Sequence, residues 1–89
     1  MTIEIKKFGE ILTSRPAGKE AYLSAKAYIL PKDTSENIVL DFDGVKVLAP
    51  SWADEFVTKI IAEYPNKVAF LNTENISVQE TFKILNIAP

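Results

Sequence analysis

The amino-acid sequence predicts an α/β fold in which about three helices flank a small, mainly parallel sheet. Three short apolar runs alternate with three stretches whose apolar residues recur every three or four positions. This alternation is typical of parallel strands joined by right-handed helical crossovers. The chain has 89 residues and no internal repeat or low-complexity stretch, so we expect a single domain over residues 1–89.

The first strand is predicted at residues 2–8. Ile3 and Ile5 alternate with charged residues, which is the pattern of a strand with one face in water. Gly9 is expected to end this strand.

The first helix is predicted at residues 14–30. Ser14 is a suitable N-cap, Pro16 is tolerated in the first turn, and Pro31 ends the helix because its ring blocks a further turn. The residues expected to share the apolar face are Ala17, Ala21, Ala25, Tyr28 and Ile29.

The second strand is predicted at residues 38–42, a nearly continuous apolar run of the kind found in strands covered on both faces. A turn is expected at residues 43–44. For residues 45–48 two interpretations stay open. Asp-Gly favours a tight hairpin back along the second strand, but the segment could instead be a loop that leads into the next helix.

The second helix, at residues 51–64, has the clearest apolar stripe: Ala53, Phe56, Val57, Ile60, Ile61 and Tyr64. Ser51 is the expected N-cap. Asp54 and Glu55 would then lie in the first turn, where the helix dipole favours negative charge.

A third strand is predicted at residues 68–71 and a third helix from Ser77 to about Asn86. The run from Ser77 to Glu80 matches the S-x-x-E capping box. Val78, Phe82 and Leu85 are expected to face inward.

Composition excludes several kinds of site. Without histidine or cysteine the chain cannot form a Ser-His-Asp triad, a thiolate nucleophile, a disulfide, or a metal site ligated by either residue. A net charge of −2 gives no electrostatic footprint for nucleic acid or anionic membrane. There is no signal-peptide pattern and no run long enough to span a membrane. We therefore expect a cytoplasmic protein that is not an enzyme and needs no cofactor or metal.

Ser51 is the central candidate for function. As an N-cap it would simply accept hydrogen bonds from first-turn amides. As a phosphorylation site it would add negative charge at the helix start, near helix amides that tolerate it and near carboxylates that repel it.

Arg15 and Trp52 are the next candidates, both as partner-binding residues. A cation at the start of a helix opposes the dipole, so Arg15 calls for an anionic partner. That partner could be Asp41, Asp43 or Glu10 within the fold, or an external phosphate, and we favour an internal ion pair. Trp52 lies off the centre of the apolar stripe, so we expect it to be partly exposed, as binding anchors are.

Asp41, Asp43 and Gly44 are assigned structural roles around the turn. In a regular strand the two carboxylates would point to opposite faces, which argues against a paired acid–base site.

Three blocks of sequence carry a family resemblance. They run from Phe8 to Arg15, from Leu40 to Val45, and from Pro50 to Glu55. In these blocks the chain resembles the STAS-like domain family of unknown function, which is distantly related to the anti-sigma-factor antagonists. The resemblance implies a small sheet packed by helices and a role in partner switching.

In the antagonists, a serine at this helix start is phosphorylated by a kinase-like anti-sigma factor, and Ser51 is the matching position. The resemblance implies a histidine-kinase-type ATP-binding protein as the partner. The chain departs from the antagonist pattern at Trp52, where those proteins keep glycine.

Two hypotheses follow. The first is a regulatory protein-interaction module whose surface contains Arg15, Ser51, Trp52, Asp54 and Glu55, with phosphorylation of Ser51 as an optional switch. The alternative is a small-molecule or nucleotide-binding domain in which Arg15 and the helix start at Ser51 hold an anion.

Overall fold

The computed structural model describes residues 1–88 and contains five strands and three α-helices over that range. In chain order the elements are β1 (Thr2–Glu4), β2 (Ile11–Leu12), α1 (Arg15–Tyr28), β3 (Ile38–Asp41), β4 (Val47–Leu48), α2 (Pro50–Glu63), β5 (Val68–Leu71) and α3 (Ile76–Ile84). The α/β class and the parallel pairing predicted from the alternating pattern are confirmed.

The main sheet has the strand order β1-β3-β5, and all its strands are parallel. Ile3, Leu40 and Phe70 lie side by side in its register. A second sheet has two strands of two residues each, with β2 parallel to β4 and Leu12 opposite Leu48. The sequence pattern did not indicate β2, because two residues are too few to show a period.

The hairpin interpretation of residues 45–48 is wrong. The chain turns after Phe42, where the Val45 amide donates to the Phe42 carbonyl over 3.1 Å. It then continues to β4, which pairs with β2 rather than with β3. The Asp-Gly sequence therefore makes a turn without returning the chain along the strand it leaves.

The first strand is shorter than predicted. It ends at Glu4, and Ile5–Phe8 forms a 3₁₀ helix that closes with the Gly9 amide donating to Lys6. The alternation of burial persists through this change, since Ile5 is fully buried. The turn brings Phe8 over α2, where its ring centroid lies 5.0 Å from that of Phe56.

α1 begins at the predicted N-cap, because the Ser14 hydroxyl oxygen accepts a hydrogen bond of 3.1 Å from the Ala17 amide. Its apolar face differs from the prediction at two residues. Ala17 is exposed, and Tyr28 is 87% exposed although it was expected to pack. Leu30, just beyond the helix, is buried instead.

α3 also begins differently. Asn75 is the N-cap, and its side-chain oxygen accepts from the Val78 amide over 3.2 Å. The capping box predicted at Ser77 is therefore wrong. Val78 and Phe82 are buried as expected, and Leu85 packs at the margin of the core.

The core lies on one side of the main sheet. Side chains of the three strands that point to this side join apolar residues from all three helices in one cluster. The inward-pointing strand residues are Ile3, Ile38, Leu40, Val68 and Phe70. The expectation that the second strand is covered on both faces is wrong, because Val39 and Asp41 point away from this cluster and are only partly buried.

Candidate functional site

The candidate site forms where β2 and β4 end side by side and their chains enter α1 and α2. The Ala49 amide donates to the Leu12 carbonyl over 2.8 Å, which extends the pairing past the strands. α1 and α2 consequently start close together. Residues that are about 40 positions apart in the sequence meet there.

Ser51 is not an N-cap. α2 begins at Pro50, whose missing N–H suits the first helical position, and Ala49 takes the N-cap position without a side-chain hydrogen bond. Ser51 therefore lies inside the first turn and is half-buried. Its hydroxyl donates a hydrogen bond of 2.8 Å to the carbonyl of Thr13, so it ties the start of α2 to the end of β2.

Asp54 and Glu55 lie two positions further along α2 than predicted, beyond its first turn, because the helix starts earlier. Both carboxylates accept from the same guanidinium nitrogen of Arg15, at 2.9 Å and 2.6 Å. The hydrogen bond that Arg15 donates to Asp54, then the one to Glu55, raises the pKa of Arg15 above its ordinary value. Glu55 also lies 3.7 Å from Lys59 on its own helix.

Arg15 forms an internal ion pair as expected, but with none of the three carboxylates that were predicted as its partner. Glu10 pairs with Lys46 over 3.1 Å, and Asp41 and Asp43 lie at the other sheet. Arg15 bonds to α2 because the two helices pack against each other along their length. Their packing is a tertiary property that the local sequence around Arg15 does not reveal.

Trp52 is buried, which contradicts the expected partial exposure. Its side chain is 1% exposed and stacks on Phe56 with the ring centroids 4.8 Å apart. The ring centroid of Phe8 lies 6.3 Å from that of Trp52. In this conformation Trp52 is a core residue and presents no surface to a partner.

Asp41 lies at the end of β3 and organises the turn that follows. Its carboxylate accepts from the side-chain amide of Asn72 over 2.8 Å and from the backbone amide of Asp43 over 3.0 Å. These hydrogen bonds, the one from Asn72 foremost, lower the pKa of Asp41, and the charge of Lys6 adds to the effect.

Gly44 has a φ of +83° in this turn, which is the left-handed region. A Cβ at this position would lie 2.9 Å from the side chain of Lys6. The side chain of Asp43 is exposed.

Ser77 and Thr81 of α3 contact the end of β4 next to the site. They were not among the predicted site residues. The Ser77 hydroxyl oxygen accepts from the Leu48 amide over 2.9 Å, and the buried hydroxyl of Thr81 donates to the Leu48 carbonyl. The two hydroxyls stand four residues apart on α3, so they share a face with the apolar residues of that helix. Two hydroxyls on an otherwise apolar helix face were the sequence signal that could have indicated this contact.

The arrangement is suited to recognition more than to bond-making. Arg15, Asp54 and Glu55 form a partly exposed charged cluster, and each can leave its ion pair to bind a charged group of a partner. Ser51 has a backbone carbonyl as its hydrogen-bond acceptor, and a carbonyl cannot serve as the general base that an attacking serine requires.

No helix among the described residues is both long enough and apolar enough to cross a bilayer. Neither the curated proteins nor the solved structures include a significant match to the chain.

A family comparison does give a match. The model of the STAS-like domain of unknown function matches residues 26–87, which is more than half of the chain. That range contains the blocks around Leu40–Val45 and Pro50–Glu55, and the block from Phe8 to Arg15 lies before it. The chain belongs to this family of STAS-like domains.

Proposed function

We propose that this chain is a non-enzymatic, cytoplasmic regulatory module that binds a protein partner through the α2-start surface, defined as Arg15, Ser51, Asp54 and Glu55. The observation that carries the proposal is the double hydrogen bond from Arg15 on α1 to Asp54 and Glu55 on α2. Membership in the STAS-like domain family supports a regulatory or interaction role.

The charged groups of this surface are accessible enough to change partners. The side chains of Arg15 and Asp54 are 53% and 40% exposed, whereas Glu55 is more sheltered. Exposed ion pairs contribute little to stability, so their replacement by contacts with another protein costs the fold little. A partner that offers both a cation and a carboxylate matches the two signs of charge present here.

Ser51 supplies a means of regulation on the same surface. Transfer of the γ-phosphoryl group of ATP from a kinase-like partner to the Ser51 oxygen would release ADP and the hydroxyl proton. The hydrogen bond to Thr13 would then have no donor. The new group would add about −1.5 to −2 charge one helical turn from Asp54 and Glu55.

Those three anions would compete for Arg15. Because phosphate oxygens form strong, charge-assisted hydrogen bonds to guanidinium groups, we expect Arg15 to leave at least one carboxylate and turn towards the phosphate. The surface would become more negative and its ion pairs would change, while the packing of the core stays the same. We propose a histidine-kinase-type ATP-binding protein as the partner that reads this difference.

The alternative function is a nucleotide or small-molecule site at the same residues, and the ion pairs of Arg15 disfavour it. An anionic ligand would have to displace two carboxylates from Arg15, whereas a protein partner can supply its own cation to each of them. If the alternative holds, nucleotides should raise the melting temperature of the chain by mass action, and a flat thermal-shift screen would count against it.

The test is a quantitative pull-down from native cell extract followed by affinity measurement with the purified prey. Four baits are compared with wild type: Ser51→Ala, Ser51→Glu, Arg15→Ala and the control Glu36→Lys. Glu36 precedes β3, whose first residue Ile38 donates to the Lys67 carbonyl just beyond the end of α2. A 14-residue helix separates that end of α2 from its start by about 20 Å. The proposal expects an ATP-binding prey whose affinity falls about tenfold with Ser51→Glu and Arg15→Ala.

The control bait must retain the prey at wild-type affinity. Ser51→Ala should bind like wild type and should not acquire phosphate, which mass spectrometry of the bait checks. If all five baits capture the same proteins with equal affinity, the α2-start surface is not the binding surface. If the affected prey has no ATP-binding domain, partner binding stands and the kinase-like assignment is wrong.

A further inference from the structure

The main sheet has a second face that no element of residues 1–88 covers. In the parallel register, Thr2, Val39 and Ala69 form one row across the three strands. A second row is formed by Glu4, Asp41 and Leu71. None of these six residues belongs to the apolar core, and we call them the outer face.

An uncovered outer face is unusual for this type of sheet. Parallel sheets occur almost entirely with both faces covered, whereas antiparallel sheets often leave one face in water. Three of the six outer-face side chains are apolar, and Leu71 is 50% exposed. Covering Val39, Ala69 and Leu71 would remove that apolar surface from water and so favour binding.

The dimensions of the outer face suit one helix. Neighbouring strands lie about 4.8 Å apart, so three strands span about 10 Å, and four residues of strand extend about 13 Å. An α-helix with its side chains is about 10–12 Å wide, and nine residues cover about 13 Å. A stable subunit interface buries about 800 Å² on each partner, which is several times the area that these dimensions give.

The charges of the outer face argue against a second copy of this chain as the occupant. Its two ionisable side chains, Glu4 and Asp41, are both acidic. Within residues 1–88 neither forms an ion pair, and Lys6 is the cation whose charge acts on Asp41. A pair of these faces would bury carboxylates against a surface with no cation of its own, which is costly.

We propose that the outer face binds one amphipathic helix of a partner protein, with small or aliphatic residues on Val39, Ala69 and Leu71 and lysine or arginine towards Glu4 and Asp41. This binding surface is separate from the α2-start surface, because α2 lies on the opposite side of the sheet. The two proposals therefore stand or fall independently.

The experiment titrates the ¹⁵N-labelled chain with two synthetic peptides of 14 residues, followed by amide chemical shifts. Both are lactam-bridged to hold a helix, since short free helices are marginal in water. One carries an alanine and leucine stripe flanked by lysines, and the other has glutamate at each of those lysine positions, with the same bridged pair in both. We expect the basic peptide to shift the amides of Val39, Ala69 and Leu71, and to bind about tenfold more tightly than the acidic one.

The variant Ala69→Arg places a long cation in the middle of the contact and should abolish binding of the basic peptide. Ala27→Arg, at an exposed position of α1, is the matched control and should bind like wild type. Should Ala69→Arg fail to fold, Glu4→Gln serves instead, because it removes one charge from an exposed site and should weaken the basic peptide several-fold.

Four results would overturn the proposal. Equal affinity for both peptides would mean that the charge argument is wrong, and shifts confined to the helices would place binding elsewhere. A dimer in sedimentation that Ala69→Arg dissociates would make a second copy the occupant. Absence of any shift at millimolar peptide would show that the face does not bind such a helix.

Discussion

Gly18 of α1 lies directly against the backbone of Trp52 in α2. A Cβ on Gly18 would stand 2.5 Å from the Trp52 carbonyl oxygen and 3.0 Å from its Cα. The obstacle is backbone, which cannot rotate away as the end of a side chain can. This contact therefore sets how closely the two helices approach, and with it the position of Arg15 relative to Asp54 and Glu55.

We predict that Gly18→Ala destabilises the protein although alanine is the better helix former. The gain in helix propensity is about 1 kcal/mol, and forcing extra volume into a packed contact costs about 1–3 kcal/mol. Urea denaturation followed by circular dichroism measures the difference. Ser24→Ala, at an exposed position of the same helix, is the control and should leave stability unchanged or slightly raised. A variant Gly18→Ala more stable than wild type would contradict the close approach.

Trp52→Ala should unfold or strongly destabilise the chain, with a loss of about 3–5 kcal/mol, because it empties a buried site stacked on Phe56. Trp52→Phe keeps a ring in the stack and should lose less. As the single tryptophan, Trp52 should also show blue-shifted emission that iodide quenches poorly until urea unfolds the chain. Emission that is fully quenchable in the native protein would place Trp52 at the surface after all.

Thr81→Val should cost about 1–3 kcal/mol, because it keeps the shape of the side chain and leaves the Leu48 carbonyl without its buried donor. Thr34→Val changes an exposed loop threonine and should be close to neutral. Thermal and urea denaturation of both variants provide the comparison. The Ser77 hydroxyl lies 3.3 Å from the same carbonyl and can also donate to it. Equal stability of Thr81→Val and wild type would mean that this second donor alone satisfies the carbonyl.

Stability should also depend on the Tyr22 phenol at high pH. Burial, followed by the hydrogen bond to the Glu63 carboxylate, raises the pKa of Tyr22 to about 12 from an ordinary value of 10.0. The folded state thus holds this proton more tightly than the unfolded state. The stabilisation is complete below about pH 10 and is lost as the pH rises towards 12.

Phenolate absorbance of wild type should therefore include a step near pH 12 that Tyr22→Phe removes. Tyr28→Phe, at an exposed position, should leave that step in place. Over pH 10–12 the stability of wild type should fall more than that of Tyr22→Phe. If phenolate formation in the native wild type is complete well below this range, the Tyr22–Glu63 contact does not hold in solution.

The order of strands and helices could be predicted from the sequence because the apolar residues of each longer element repeat with the spacing of a strand or a helix. α2 shows it best, since every residue of its predicted stripe packs in the core or, for Ile61, at its margin, and Trp52 is the one core residue of α2 that the stripe left out. The outer face was not readable, because Val39 extends the apolar run of β3 and such a run looks the same whether one face or both are buried. β2 became visible only through its pairing with β4.

The candidate site, too, could be predicted only in part from the sequence. That Arg15 needs an anion follows from its place at the start of a helix, and the structure supplies two. Which anions these are depends on the docking of α1 on α2, and so on Gly18. Trp52 was misplaced for a related reason. Phe56 stacks on it from the next turn of α2, but Phe8 reaches it only once the 3₁₀ helix turns the chain over α2.

The hydrogen bonds from Ser77 and Thr81 to the Leu48 backbone have a consequence for synthesis of the chain as well as for its stability. Ribosomes add residues from the amino end at about 5–20 per second, so the 33 positions between Leu48 and Thr81 take about 2–7 s to synthesise. During that interval Leu48 lacks the two hydroxyls that hydrogen-bond to its backbone in the folded chain. The β2–β4 pair therefore cannot complete these hydrogen bonds until α3 has been made.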